Sequence, residues 1–320
     1  MSALTFRPLR EDELDLFDRE LTLPRSGVGA RSLTFAEFLA FGDFRPAWTW
    51  VAQRDGRIVA RAAFWAPEDF DQPFHLEWFD LAAEPDRVEI GAGLLRAMYQ
   101  AVVPADYCVP PHPDGGRPDY HLFLPANWRT DPAASANAID RMAAAEQAGL
   151  RQFVERLNLS RTLDCKLPPR LERLRFTPVT DDETVVEVFC RICADTLDAD
   201  SRHDAERHGP RHAAELIVRG ALDASRGRRD WWRLAYDAAG DVVGAVLPTR
   251  PGAATIWHVG VVPERRGRRY ADDLVTEALH VLAGAGEPRV ADTTDVGNLA
   301  MVAAFTRCGY RVDGHRMIFA

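Results

Sequence analysis

One succession of segments is written twice along the chain, and it constrains the fold more than any single motif. WTWVAQRDGRIVARAAF (48–64) places β-branched residues in alternation on either side of Asp55-Gly56, the pattern of two strands joined by a tight turn. WWRLAYDAAGDVVGAVLP (231–248) repeats it around Ala239-Gly240. Two helical segments precede each hairpin, 11–20 and 34–42 in the first half, 183–197 and 211–223 in the second. A further strand follows each, HLEWFDL (75–81) and ATIWHVGVV (254–262). Then comes a helix. Ile90, Leu94, Met98 and Val102 share one face in the first half; Ala271, Leu274, Val275, Ala278, Leu279 and Leu282 share one in the second. Each half closes with a strand (DYHLFLP; PRVADTT), a helix, a glycine and a last strand. Those glycines, Gly149 and Gly309, stand where a helix C-cap needs positive φ.

The repeat predicts an α/β fold (α+β, with a mixed sheet) in two domains of one topology, 1–166 and 172–320. Leu167-Pro168-Pro169 opens a linker over 167–171, because Pro-Pro suits neither a helix nor a central strand. No apolar run approaches a membrane span, and MSALTFRPLREDELDLF lacks the basic start and apolar core of a signal peptide. Five scattered cysteines make no disulfide framework. The expectation is a cytoplasmic protein with reduced thiols and no membrane partner. A formal net charge of -9 argues against nucleic acid, which needs a broad basic face.

Against that acidic background, VVPERRGRRYADDLV (261–275) gathers four arginines between a strand and a helix. The first N–H groups of a helix are unpaired, and with the helix dipole they attract anions. Gly267 lets backbone approach closely, and Arg265, Arg266, Arg268 and Arg269 offer charge-assisted contacts. The plainer alternative is a solvated basic loop.

The order of elements, Val261-x-Pro263-x-x-Arg266-Gly267 before the long helix, and Asn298-x-x-Met301-x-x-x-Phe305-x-x-x-Gly309-Tyr310 near the end together resemble the GNAT superfamily of N-acetyltransferases. The resemblance covers 172–320; over 1–166 only the succession of elements matches. It implies tandem GNAT-like domains and acetyl-CoA as co-substrate. The turn Arg266, Gly267, Arg268, Arg269, Tyr270 and Ala271 would hold the pyrophosphate. The strand edge Val261, Val262 and Pro263 would pair with the pantetheine amides, and Asn298, Met301 and Phe305 would line the same arm. The family's second glycine is Arg269 here, a position at which helical φ would leave the backbone unstrained. In the first half Arg87, Gly91 and Gly93 are out of register with the motif. Glu84, Asp86 and Glu89 would face the anion, and Ala138 and Ala145 replace Asn298 and Phe305. That domain is expected to be degenerate.

Acyl transfer to an amine needs a base, an oxyanion donor and a way to discharge the thiolate. The family's usual tyrosine donor corresponds to Phe305, leaving Tyr310 and Cys308 as substitutes. For the base, Asp292 and Asp295 precede Asn298, with N-cap duty as the alternative. His258 lies on the wrong face by strand alternation, unless a bulge turns it inward. LDADSRHDAERHGP (197–210) sits where the family places acceptor-binding helices, so Asp198, Asp200 and Asp204 are candidates to meet an ammonium group, with Trp257 lining the cleft. Cys190-x-x-Cys193 has no second pair, and His203, His208 and His212 form no HExxH, so no metal is expected. The functional expectation is acetyl transfer to a small-molecule amine by direct attack in the second domain, by a monomer or homodimer. The rival is a non-catalytic acyl-CoA sensor, favoured by Phe305 and Arg269.

Overall fold

The alternation around Asp55-Gly56 folds as expected. In the computed structural model β2 (Phe44–Arg54) and β3 (Arg57–Trp65) pair antiparallel through a turn in which Asp55 and Gly56 have φ of 49° and 82°. The structure describes residues 4–14, 17, 27–29, 34–68, 70–107, 116–224 and 229–320. It divides into two units, residues 1–155 with 314–320, and residues 156–313.

In the first unit β1 (Leu4–Pro8), β2, β3 and β4 (His75–Leu81) run antiparallel in order. β5 (Asp119–Pro125) lies parallel to β4. Helices α1 (Phe35–Ala40), α2 (Arg87–Val102) and α3 (Pro132–Gln147) accompany them. Ile90, Leu94 and Met98 of α2 enter a core with Phe64, Phe79 and Tyr120. Of the helix expected over 11–20 the structure describes a 3-10 turn, Glu11–Glu13; the rest lies largely outside the described residues.

The second unit repeats the order. β7 (Arg175–Pro178), β8 (Arg233–Tyr236), β9 (Val242–Thr249) and β10 (Thr255–Val261) are antiparallel neighbours. A parallel bridge, Ala254 to Val290, joins the start of β10 to the strand region of β11 (Arg289–Asp295). α4 (Asp182–Cys193), α5 (Ala199–His208) and α6 (Pro210–Ala224) precede the hairpin. α7 (Tyr270–Gly284) and α8 (Leu299–Arg307) follow it. β9 serves two cores, its alternation shifted by an irregularity at Val243: Val243 and Val246 pack with Leu274 and Leu279 of α7, while Ala245 and Leu247 pack with Phe189 of α4 and Ile217 of α6. Gly149 and Gly309 take the positive φ expected of them, 94° and 82°.

The domain boundary departs from the expected 166/167. The closing strands are exchanged. β6 (Gln152–Thr162) contributes 156–162 to the second unit, paired with β11 along its length. β12 (Arg311–Phe319) returns 314–319 to the first unit, paired with β5. Leu167-Pro168-Pro169 is irregular chain, but it lies inside the second unit, after its closing strand has been supplied. Among the described residues no helix is long and apolar enough to cross a membrane.

Candidate active site

The arginine junction folds into a turn of unpaired donors. Pro263–Arg265 forms one 3-10 turn after β10, and α7 starts at Tyr270 with Arg269 as its N-cap. The backbone N–H groups of Gly267, Arg268, Arg269, Tyr270 and Ala271 donate to no acceptor among the described residues. Gly267 has φ 78° and Arg269 has φ 60°, ψ 25°, so left-handed residues help to shape the turn. Successive N–H groups in such a turn make an anion-binding concavity, and the dipole of α7 adds to it. Asp272 and Asp273 in the first turn of α7 are each neutralised by an arginine, Asp272 by Arg307 at 2.7 Å and buried Asp273 by Arg173.

The arginines divide into two roles. Arg265 pairs with Asp237 and Asp241, and Arg266 donates to Val261 O, Asp195 and the α4 carbonyl of Ile192. Both hold the turn in place. Arg268 and Arg269 are exposed, with no side-chain partner among the described residues. Arg269 corrects the expectation of helical φ: it stands left-handed, in the conformation that glycine adopts most freely. The sequence reading missed Arg173, which donates to Arg268 O and Arg269 O and lies 5.2 Å over the ring of Tyr270. Its place beyond the proline pair carried no motif.

β10 and β11 part just after their bridge. Ala291 N–H donates to Ala254 O, and then the Asp292 carboxylate takes over, accepting from Ile256 N–H at 2.6 Å and Thr255 Oγ1 at 2.9 Å. Val262 N–H donates to Val243 O, so by strand alternation the N–H groups of Val259 and Val261 point to the other edge. This edge can take an extended chain bearing amides, although Arg266 already occupies the Val261 carbonyl.

The candidate acids and bases mostly hold structure. Asp292 is buried and accepts a third bond from Tyr310 OH at 2.6 Å. Burial pushes its carboxyl up to about 6 against those three donors. Tyr310 is buried by the same pair, and burial pushes its hydroxyl well above the usual phenol range. Cys308 is buried beside Thr276, its thiol also pushed up by burial. Phe305 lies in the core, its ring 4.7 Å from Tyr310, with Met301 packed alongside. Asn298 caps α8, its Oδ1 accepting from Met301 N–H. Asp295 accepts from Arg156 at 3.0 Å and from Ala199 N–H at 2.7 Å, which anchors the start of α5. Asp198 caps α5 through Ser201, and Asp200 pairs with Arg156. The segment expected to meet the acceptor is a helix, capped at its start by Asp198. Trp257, 37% exposed, packs on Gly220 of α6, and His258 lies beside Phe189 of α4.

The first unit uses the corresponding places differently. Gly91 and Gly93 serve packing: an added Cβ would come within 2.7 Å of Leu81 and 2.5 Å of Phe6. Arg87 is tied to Asp140, while Arg54 pairs with Glu84 and Asp86. β4 and β5 pair at His75–Asp119 and Leu76–Tyr120. Beyond that, buried Arg141 fills the gap, donating to Phe79 O at 2.7 Å and Asp80 at 2.8 Å. A side chain of the protein thus takes the strand-edge carbonyl that the second unit leaves to other partners.

The family model described as "Acetyltransferase (GNAT) family" matches residues 196–310, the stretch that holds the turn, the open edge and Asn298. No curated protein matches the chain. A GCN5-related N-acetyltransferase from Sphaerobacter thermophilus is similar over 99% of this chain and 94% of its own, at 17% identity and TM-score 0.56. A GCN5-related glucosamine N-acetyltransferase region in a fungal multi-domain β-N-acetylglucosaminidase is similar over 100% of this chain and 38% of that one, at 15% identity and TM-score 0.50. A tandem GNAT protein from the clavulanic acid biosynthesis pathway is similar over 99% and 98%, at 17% identity and TM-score 0.49. The chain therefore carries a domain of the GNAT acetyltransferase family in its second half, within a fold shared from end to end with a GCN5-related N-acetyltransferase.

Proposed function

We propose that the second unit transfers an acetyl group from acetyl-CoA to the amine of a small molecule by direct attack. The observation that carries this reading is the run of unpaired N–H groups from Gly267 to Ala271, beside an open strand edge. The turn would hold the pyrophosphate, with Arg268 and Arg269 reaching its oxygens. Val259 and Val261 N–H would meet the pantetheine chain and the thioester carbonyl. Donors already in place where negative charge grows lower the barrier without reorganisation. The helices α4 to α6 would frame the acceptor.

One observation favours the sensor reading instead. Phe305 has no proton, and Tyr310 and Cys308 are both buried in other contacts. A thiolate of pKa about 8.5 leaves without a dedicated acid, so this absence slows transfer rather than forbidding it. Release of free CoA thiol from acetyl-CoA, measured with a panel of amines, tests the choice. Acceptor-dependent release is expected; binding of acetyl-CoA with no release from any amine points to the sensor.

A further inference from the structure

One titratable side chain beside the open edge is left unused by the turn and by the capping network. Plain alternation would put His258 and Trp257 on opposite faces of β10. A bulge changes this. Ile256 faces Pro248 and His258 faces Leu247 on β9, so Trp257 is the extra residue. A bulge re-aims side chains, and both residues here meet the helices on one face. Trp257 lies against Gly220 of α6, and His258 meets Phe189 of α4 edge-on, with centroids 6.0 Å apart.

The charged groups facing His258 come from two further elements: Asp198 and Asp200 at the start of α5, and Arg156 on β6. Cys193, at the end of α4, is kept neutral by burial, its thiol pushed up to about 12. Nδ1 of His258 is buried and has no well-formed hydrogen bond among the described residues, although the Trp257 backbone lies near enough to favour its protonation. The next residue, Val259, presents its N–H to the open edge. The equivalent bulge exists in the first unit, where Glu77 is the extra residue on β4. There the place of His258 is taken by Trp78, boxed in by Phe35 and Phe44, with its indole N–H given to Asp80. The bulge is common to both units; the imidazole belongs to the one with the open site.

We propose that His258 is the general base of the transfer, with Asp198 stabilising the imidazolium that forms. This rests on the acyl-transfer reading of the second unit. The acceptor ammonium gives one proton to the ring nitrogen, and its freed lone pair attacks the thioester carbon. The N–C bond forms, the tetrahedral intermediate collapses, and the C–S bond breaks to give CoA thiolate. The nitrogen loses its second proton to that thiolate, giving the amide and free thiol. The imidazolium returns its proton to solvent. Burial holds the imidazole below its ordinary range, although Asp198 and Asp200 pull it back up, so the ring is neutral and ready at pH 7.

Two nucleophiles test this. The fastest primary alkylamine of a panel is protonated at neutral pH, whereas hydroxylamine is uncharged there and needs no base. Calorimetry with acetyl-CoA is expected to give His258→Gln the same Kd as wild type, within about twofold. At pH 7 the variant is expected to lose about a hundredfold or more in kcat/KM with the alkylamine. With hydroxylamine it stays within about threefold, and with the alkylamine it recovers toward pH ~10. An equal loss with both nucleophiles at every pH overturns the proposal, as does an unchanged alkylamine rate. Asp198→Asn keeps an acceptor for Ser201, and is expected to move the acidic limb of the profile to lower pH. An unmoved limb overturns the part given to Asp198. A wild-type chain that binds no acetyl-CoA removes the functional reading along with this one, and the calorimetry tells that failure apart.

Discussion

Arg269 sets conformation against charge at a single position. A left-handed φ costs a side chain about 1–2 kcal/mol, and glycine would remove that cost while adding about 0.5–1 kcal/mol of chain entropy. Arg269→Gly is therefore expected to melt no lower than wild type. The same change removes an exposed guanidinium from the turn, so acetyl-CoA should bind several-fold to about tenfold more weakly, with a shallower salt dependence. Titration calorimetry checks this, and tighter binding in the glycine variant would reject a phosphate contact. Asn298 also has two duties. Asn298→Ala is expected to lose about 1 kcal/mol of helix cap as well as cofactor affinity. Asn298→Asp keeps the cap, so a melt near wild type with a weakened acetyl-CoA Kd would isolate the amide's part. Asp292 works through pH. Its carboxyl sits near 6 in the fold against 3.8 ordinarily, so the protonated form favours folding. That share of stability is full below about 4 and is lost as pH rises through about 6. Asp292→Asn should therefore gain on wild type between pH 4 and pH 8, read from urea midpoints.

At the scale of elements, α5 is where sequence and structure part furthest. Residues 199–208 carry no apolar stripe, so periodicity has nothing to detect. The helix exists because its first turn is held twice, by Asp198 through Ser201 and by Asp295 through Ala199 N–H. The second anchor comes from almost a hundred residues away, and no local pattern announces it. Asp295→Ala should accordingly speed amide exchange over 200–208, and any loss of turnover should not recover at high pH, since a helix anchor rather than a proton acceptor is missing. The hairpins, α7 and both glycine stops were legible because each is a local matter of period or φ. So was the arginine turn, through Gly267. The division of labour among its arginines was not, because Arg266 finds Asp195 and Ile192 O, and Arg265 finds Asp237 and Asp241, only once the chain is folded. The bulge at Trp257 was readable only as a possibility; pairing with β9 decides it.

For the whole molecule, the first unit closes its own strand gap with Arg141 and the second leaves its gap open, so one acetyl-CoA per chain is expected by calorimetry. Two equivalent sites would overturn the account of the first unit. The exchange of closing strands also makes the proline pair a poor place to cut. A fragment beginning at residue 172 would lack 156–162, the whole antiparallel partner of β11, and with it the Arg156 that holds Asp295. During synthesis the order of completion is inverted. The first unit has nearly all its residues before the second is begun, yet it must wait for 314–319 to cover β5. Until then β5 is an edge open to any passing strand. The part made first is the last to be finished, and its exposure lasts as long as the translation of its neighbour.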